Sequence, residues 1–93
     1  MLTTNEYFDG KVKSIALKNN ELPATVGVMD IGEYTFGTSE KETMTVVSGE
    51  LIVKLPDTEE WKSFTDGDAF IVEANKSFDL KVNAQTAYLC VYG

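Results

Sequence analysis

The chain carries a succession of short segments in which apolar and polar residues alternate, each broken by residues that favour turns. A period of two is typical of β-strands that turn one face toward a core, and helical spacing is nearly absent. The sequence therefore predicts an all-β protein. The expected strands are residues 11–17, 24–29, 33–37, 43–47, 51–55, 61–64, 69–73, 77–82 and 86–92.

Turn-forming pairs separate these segments and indicate how the strands connect. The pairs are Ser48-Gly49, which fits a tight hairpin, Pro56-Asp57, Asp66-Gly67, Asn75-Lys76 and Asn83-Ala84. So many short strands in 93 residues favour a double-sheet jelly roll closed into a small barrel. The length leaves room for one core only, so we expect a single domain over residues 1–93.

Strand parity draws attention to Glu42. This residue shares a face with Met44 and Val46, and that face is otherwise apolar. A carboxylate that is carried inward costs free energy unless it is paired or hydrogen-bonded, so Glu42 is a candidate functional residue. The alternative is that Glu42 lies at the mouth of the barrel and is solvated.

The first predicted strand has a similar ambiguity. Lys11 and Lys13 share parity with Ile15 and Leu17, so both ammonium groups would line an apolar inner face and offer an anion two cations. The alternative is a bulge near Ser14 that turns both lysines toward solvent, where edge lysines discourage strand pairing.

The charge balance limits the classes of ligand that the protein is expected to bind. Fifteen acidic residues against 8 basic ones give a net charge of -7, which argues against nucleic-acid binding. No apolar run approaches the ~20 residues of a membrane helix, and the first residues lack the pattern of a signal peptide, so we expect a cytoplasmic protein that does not bind membranes. The single cysteine, Cys90, lies in an alternating apolar run and is expected to be a buried, inert thiol, since the chain has no histidine to activate it.

Two segments resemble the motifs of cupins. The first cupin motif, in which two histidines precede a glutamate and a glycine, has its counterpart in Gly32, Phe36, Thr38, Glu42 and Gly49. The stretch "DGDAFIVEANKSFDL" resembles the second motif, with Phe78 in the place of the third histidine. Metal sites of cupins rely on those imidazoles, and one carboxylate cannot replace three. The expected protein is therefore a cupin-type jelly-roll barrel without a metal or other cofactor.

Longer stretches carry a more specific resemblance. They are "NEYFDGKVKSI" (5–15), "VGVMDIGEYTFGTSEKETMTVVSGEL" (26–51), "LPDTEEW" (55–61) and "YLCVYG" (88–93). Together they span the chain, which resembles the pyrimidine/purine nucleoside phosphorylases of bacteria. The resemblance implies a metal-independent pentosyltransferase that cleaves purine and pyrimidine nucleosides with inorganic phosphate, giving a free base and pentose 1-phosphate.

Phosphorolysis needs no protein nucleophile, because phosphate itself attacks the anomeric carbon. The catalytic candidates are Glu42 and Glu40, which would bind ribose hydroxyls or, if burial raised the carboxyl pKa, protonate the leaving base. The substrate-binding candidates are Tyr34, Phe36 and Phe78, whose rings would stack on any base, and Thr38 and Ser39, which offer hydroxyl groups. The phosphate-binding candidates are Lys11, Lys13, Lys41 and Thr43. Each has a structural alternative: core packing for the rings, and solvated loop positions for the polar residues.

Two other functions remain open from the sequence. One is a non-catalytic cupin that binds a sugar or nucleotide, and the other is an interaction module whose exposed strands pair with a partner. The resemblance also implies a homodimer, and the apolar segment "YLCVYG" would allow two chains to pair edge to edge.

Overall fold

The computed structural model describes residues 1–19 and 21–93. The strands are β1 (Thr4–Tyr7), β2 (Val12–Leu17), β3 (Ala24–Met29), β4 (Gly32–Gly37), β5 (Glu42–Ser48), β6 (Glu50–Lys54), β7 (Trp61–Thr65), β8 (Ala69–Val72), β9 (Ser77–Val82) and β10 (Thr86–Tyr92). Every predicted strand is present, and the all-β prediction is confirmed. β1 was not predicted, because its sequence TNEY has little apolar alternation. Residues 1–19 and 21–93 contain no helix that is long and apolar enough to cross a membrane.

The strands form two antiparallel sheets that face each other. The six-stranded sheet has the order β1-β2-β3-β10-β5-β8, and the four-stranded sheet has the order β4-β9-β6-β7. From β3 onward the chain repeatedly crosses from one sheet to the other, which is the connectivity of a jelly roll. The predicted double-sheet fold is thus confirmed.

Apolar residues at alternate strand positions fill the space between the sheets. Val12 and Met29 enter this core from the six-stranded sheet, and Leu51, Val53 and Leu80 enter it from the four-stranded sheet. All five have at most 1% of their surface exposed. Burial of this kind is the main source of stability in a chain of this length.

The predicted hairpin at Ser48-Gly49 is wrong. β5 pairs with β10 and β8, whereas β6 pairs with β7 and β9, so Gly49 turns the chain from one sheet into the other. Its φ of +116° is in the region that favours glycine, and a Cβ atom there would lie 2.5 Å from Oγ1 of Thr86. The Gly49 N–H donates to Asp66 Oδ1 at 2.7 Å, which fixes this corner.

Lys11 and Lys13 face solvent, as in the second alternative given for them, and the inward orientation is wrong. Val12 and Ser14 face the core, and both lysines are exposed. Only the bulge near Ser14 that this alternative invoked is absent, because β2 pairs with β3 in regular register over its whole length. The Lys13 ammonium lies 3.4 Å from the Glu6 carboxylate on the outer face of the sheet.

The last strand is not a sheet edge. β10 lies between β3 and β5 and is hydrogen-bonded on both sides. The predicted edge-to-edge pairing of two chains through "YLCVYG" is therefore wrong, because this segment has no unpaired edge to offer.

Candidate functional site

A cavity of about 160 Å³ lies between the two sheets at one end of the barrel. The six-stranded sheet supplies most of its lining, and the four-stranded sheet supplies the rest. The lining residues are Tyr7, Ser14, Met29, Phe36, Gly37, Glu42, Met44, Phe78, Tyr88, Cys90 and Tyr92.

One wall of the cavity is aromatic. Phe36 on β4 and Phe78 on β9 are cross-strand partners, and their rings are stacked with centroids 5.9 Å apart and an interplanar angle of 26°. Phe70 supports Phe78 from behind in an edge-on contact with centroids 6.2 Å apart. Two of the predicted base-stacking residues are thus brought together on one surface, which offers a flat apolar face to a ring.

The facing wall carries polar groups. Tyr88, Cys90 and Tyr92 alternate along β10 and point into the cavity, and Tyr92 is the cross-strand partner of Glu42 on β5. Tyr88 has room because its partner on β3 is Gly27, where a Cβ atom would lie 2.6 Å from the tyrosine ring. Hydroxyl, thiol and carboxyl groups therefore face the aromatic wall across the cavity.

Glu42 is half-buried in this wall. Burial raises the pKa of its carboxyl group, the hydrogen bond from Cys90 lowers it, and the nearby Glu40 carboxylate raises it. The Cys90 thiol donates to Glu42 Oε1 at 3.5 Å. A carboxyl group with a raised pKa keeps its proton at higher pH, so Glu42 has the property that a general acid requires.

The other titratable groups of this wall are neutral near pH 7. Burial raises the pKa of Tyr88 to about 12 and that of Cys90 to about 12, the latter also because of the Glu42 charge. Burial likewise raises the pKa of Tyr92, whose hydroxyl is hydrogen-bonded to Thr25 at 3.1 Å. The prediction that Cys90 is buried is confirmed. This wall therefore presents neutral hydroxyl and thiol groups to whatever occupies the cavity.

Tyr34 and Thr38 lie outside the cavity lining, and their hydroxyl groups are already engaged. The buried Tyr34 donates to the Asp30 carbonyl at 2.6 Å and packs beside Phe36 with ring centroids 6.4 Å apart. Thr38 donates to the Glu73 carbonyl at 2.7 Å and accepts from the Lys76 N–H at 3.0 Å. In this geometry Thr38 holds the β4–β5 loop against the β8–β9 turn.

The remaining predicted residues surround the site at different distances. Ser39, Glu40 and Lys41 are exposed in the loop that leads into Glu42. Thr43 points to the opposite face of β5 from Glu42 and is half-buried. Among the described residues, none of the lysines predicted to bind phosphate, namely Lys11, Lys13 and Lys41, lines the cavity.

The residues at the cupin metal-ligand positions do not fit a metal. Phe36 and Phe78 have no donor atom, and the Thr38 hydroxyl is used by backbone groups. Over residues 1–19 and 21–93, no group of three or more carboxylate or thiol side chains is placed to hold an ion. Glu42 and Cys90 alone provide fewer donors than structural or catalytic metal sites use.

Several lining residues were missed by the sequence-based prediction. They are Tyr7, Ser14, Met29, Gly37, Met44, Tyr88, Cys90 and Tyr92. The alternation in "TAYLCVY" places its two tyrosines and its cysteine on one face, and this pattern was sufficient to nominate that face. Tyr7 lies in the unpredicted strand β1, and its position depends on packing across the mouth of the cavity.

Solved structures confirm the architecture. A Vibrio parahaemolyticus protein of unknown function matches with a TM-score of 0.96 and 46% identity, over 100% of this chain and 99% of that chain. An RmlC-like cupin from Shewanella frigidimarina matches with a TM-score of 0.76 and 26% identity, over 94% of this chain and 79% of that chain. The fold is therefore that of the cupins.

Sequence comparison assigns the family. The family model described as pyrimidine/purine nucleoside phosphorylase matches residues 2–92. The pyrimidine/purine nucleoside phosphorylase of Saccharophagus degradans is 68% identical over 92 residues, which cover 99% of this chain and 98% of that protein. This chain belongs to the pyrimidine/purine nucleoside phosphorylase family.

Proposed function

We propose that the protein cleaves purine and pyrimidine nucleosides with inorganic phosphate, giving the free base and pentose 1-phosphate. The observation that carries this proposal is the placement of a half-buried carboxyl group, Glu42, across one cavity from the stacked rings of Phe36 and Phe78. Rings bind the π-face that all bases share, so such a wall accepts both base classes. The names of the relatives support the same activity.

In the proposed reaction a phosphate oxygen forms a bond to the anomeric carbon while the bond from that carbon to the base nitrogen breaks. The bonding electrons leave with the base, and the Glu42 proton passes to the base to neutralise it. Glu42 is left as a carboxylate and regains a proton from solvent before the next cycle. The reaction as proposed needs binding, orientation and one proton transfer, and none of these steps uses a metal.

The phosphate is proposed to bind at the mouth of the cavity, beside the loop that carries Ser39 and Lys41. The Tyr88 hydroxyl group is a neutral donor on the adjoining wall, and the Tyr92 hydroxyl is another when Thr25 donates to it. A protonated Glu42 is compatible with an anion at this place, whereas an ionised one would repel it. Lys11 and Lys13 have no part in this arrangement, since they lie on the outer face of β2 or at its start.

The test of the activity is direct. Purified protein is mixed with uridine or adenosine, with and without phosphate, and the free base and pentose 1-phosphate are measured by chromatography. We expect base release that depends on phosphate and yields one pentose 1-phosphate for each base. Thermal stabilisation by nucleosides without any base release would instead identify a non-catalytic binding protein.

We also propose that two copies associate through the outer face of the six-stranded sheet. Ile15, Val26 and Leu89 lie side by side on adjacent strands of this face. Val26 and Val28 are 43% and 48% exposed. Six strands at about 4.8 Å spacing and about 20 Å of strand length give a flat area of roughly 500 Å². With a rim of neighbouring side chains, this approaches the roughly 800 Å² that each partner buries in a standard interface.

An aspartate on this face should separate the two copies. For Val26→Asp we expect the wild-type dimer, with twice the 10.3 kDa chain mass, to become a 10.3 kDa monomer, because the charge would be buried unpaired. Light scattering after size-exclusion chromatography measures the mass. Ile31→Asp is the matched control, since Ile31 is 58% exposed in the turn between β3 and β4. A monomeric wild type at micromolar concentration, or a dimeric Val26→Asp, contradicts the proposal.

A further inference from the structure

Two consecutive aromatic residues lie at and just beyond the end of β1, beside the cavity. Tyr7 lines the cavity and its ring meets that of Phe36 edge-on, with centroids 6.1 Å apart. Phe8 follows it and packs on Tyr34 and Phe36, with centroids 5.0 and 5.4 Å apart. Both are nearly half exposed, at 45% and 44%. We call Tyr7 and Phe8 the aromatic strap.

The cavity as it stands is too small to enclose a whole nucleoside. Its volume is about 160 Å³. A protein cavity of about 150 Å³ holds one benzene-sized ring, and pockets for larger ligands usually measure about 300–1,000 Å³. The space therefore encloses one six-membered ring, and a bicyclic purine with its ribose would extend out through the mouth unless a wall moves.

Of the two edge strands that line the cavity, β1 and β4, the strap belongs to the one with the shorter pairing, four residues against six. Within the described chain, β1 has four residues and is hydrogen-bonded to β2 alone, whereas β10 and β5 are each paired on both sides. Opening the strap breaks a few edge contacts, but moving β10 would break the middle of the sheet.

The backbone next to the strap is strained. Phe8, Asp9 and Gly10 have consecutive φ values of 54°, 57° and 84°. This left-handed region is unfavourable for a bulky residue such as Phe8, and such strain is commonly found in segments that move. The ring contacts of Tyr7 and Phe8 accompany this strained conformation.

We propose that the aromatic strap swings away from the cavity to admit the nucleoside and then closes onto it, so that Tyr7 and Phe8 are positioning residues. The strap would close to different extents over one ring or two, which gives a physical basis for accepting pyrimidines and purines alike. The identity of the ligand rests on the proposed function, whereas the opening itself does not.

Cys90 provides a measure of strap opening that needs no substrate. It is the only cysteine of the chain, it lines the cavity and it is 2% exposed. An uncharged alkylating reagent such as N-ethylmaleimide should therefore react with it only when the cavity is open, at a rate that follows the open population. Mass spectrometry gives this rate.

We expect Tyr7→Ala and Phe8→Ala each to raise the rate of Cys90 alkylation by about tenfold, because each removes ring contacts that hold the strap closed. Phe64→Ala is the matched control. Phe64 is a half-buried ring that packs on Phe70 with centroids 4.8 Å apart, and it does not line the cavity. In Phe64→Ala, the rate of Cys90 alkylation should rise only by the amount that the variant's measured loss of unfolding free energy explains.

Kinetic measurements distinguish a failure of the strap proposal from a failure of the proposed activity. If the protein is a phosphorylase, Phe8→Ala should raise KM for uridine and adenosine more than it lowers kcat, and uridine should slow Cys90 alkylation in the wild type. Faster alkylation of the strap variants without any turnover would uphold the strap and overturn the proposed function. Unchanged alkylation of both strap variants would overturn the strap, whatever the activity.

Discussion

Replacement of Glu42 by glutamine should lower kcat for nucleoside cleavage by about 10²–10⁴-fold, the usual contribution of a positioned general acid. Glutamine keeps the size of the side chain but has no proton to give to the departing base. Because the carboxyl group is half-buried and hydrogen-bonded by Cys90, the neutral amide should be accepted without loss of folding. Steady-state kinetics with uridine and adenosine measure the effect, and a thermal melt checks the fold.

The pH dependence gives a second measure of the role of Glu42. Its pKa is raised by burial, so the protonated form persists to higher pH than in an ordinary glutamate. The rate should fall as pH rises through this pKa, and that decline should be missing from the residual activity of Glu42→Gln. Glu40→Gln is the matched control, since Glu40 is exposed in the adjoining loop and should lose little activity. A larger loss of activity for Glu40→Gln than for Glu42→Gln would instead identify Glu40 as the general acid.

Replacement of Gly27 by alanine should damage both stability and activity. The new methyl group would lie 2.6 Å from the Tyr88 ring and 2.7 Å from the Lys13 backbone oxygen. The backbone cannot yield cheaply, so the ring must move toward the cavity. Overpacking of this kind costs about 1–3 kcal/mol of unfolding free energy. The melting temperature should fall by roughly 4–8 °C for each kcal/mol, as measured by calorimetry.

The effect of Gly27→Ala on activity follows from the same displacement. A Tyr88 ring pushed into a cavity of 160 Å³ would occupy space that the base needs, so kcat/KM should fall by about tenfold or more. Gly37→Ala is the matched control. Gly37 also lines the cavity, but the nearest atom to its added Cβ is the Lys76 oxygen at 3.9 Å. Equal losses from both substitutions would show that steric pressure on Tyr88 is not the cause.

The strands were predictable because each has one buried face. Alternation locates β9 and β10, for example, with the bounds that the structure gives. Alternation did not reveal β1, because the side chains of its segment TNEY are mostly exposed. It also could not tell a hairpin from a sheet-crossing corner at Gly49, since both need a glycine and a polar residue. Which sheet the next strand joins is decided by the partners on either side, and these are remote in sequence.

The orientation of β2 shows a second limit of parity. The outer face of the six-stranded sheet is itself apolar, as the exposed Val26 and Val28 demonstrate. Hydrophobicity therefore did not distinguish inside from outside for Ile15, and both orientations stayed open for the lysines beside it. The register with β3 resolves this, because Ser14 pairs with Gly27 on the buried side.

The candidate site was partly predictable for a related reason. Phe36, Phe78 and Glu42 occupy positions of a motif whose spacing reflects the fold, so they fall on the cavity even though phenylalanine stands at two of the histidine positions. Tyr7 and Tyr88 belong to no such spacing in the sequence. They meet only when the two ends of the chain pack into one sheet, which local patterns do not reveal.

The central place of β10 has a consequence for how the molecule is made. The six-stranded sheet cannot close until residues 86–92 are available to enter between β3 and β5, and the long-range pairing this requires is slow to form. During synthesis the earlier strands must therefore wait, with unpaired edges, until that segment has left the ribosome. Since the same segment carries Tyr88, Cys90 and Tyr92, no shortened nascent chain has the cavity, and assembly of the site is tied to completion of the fold.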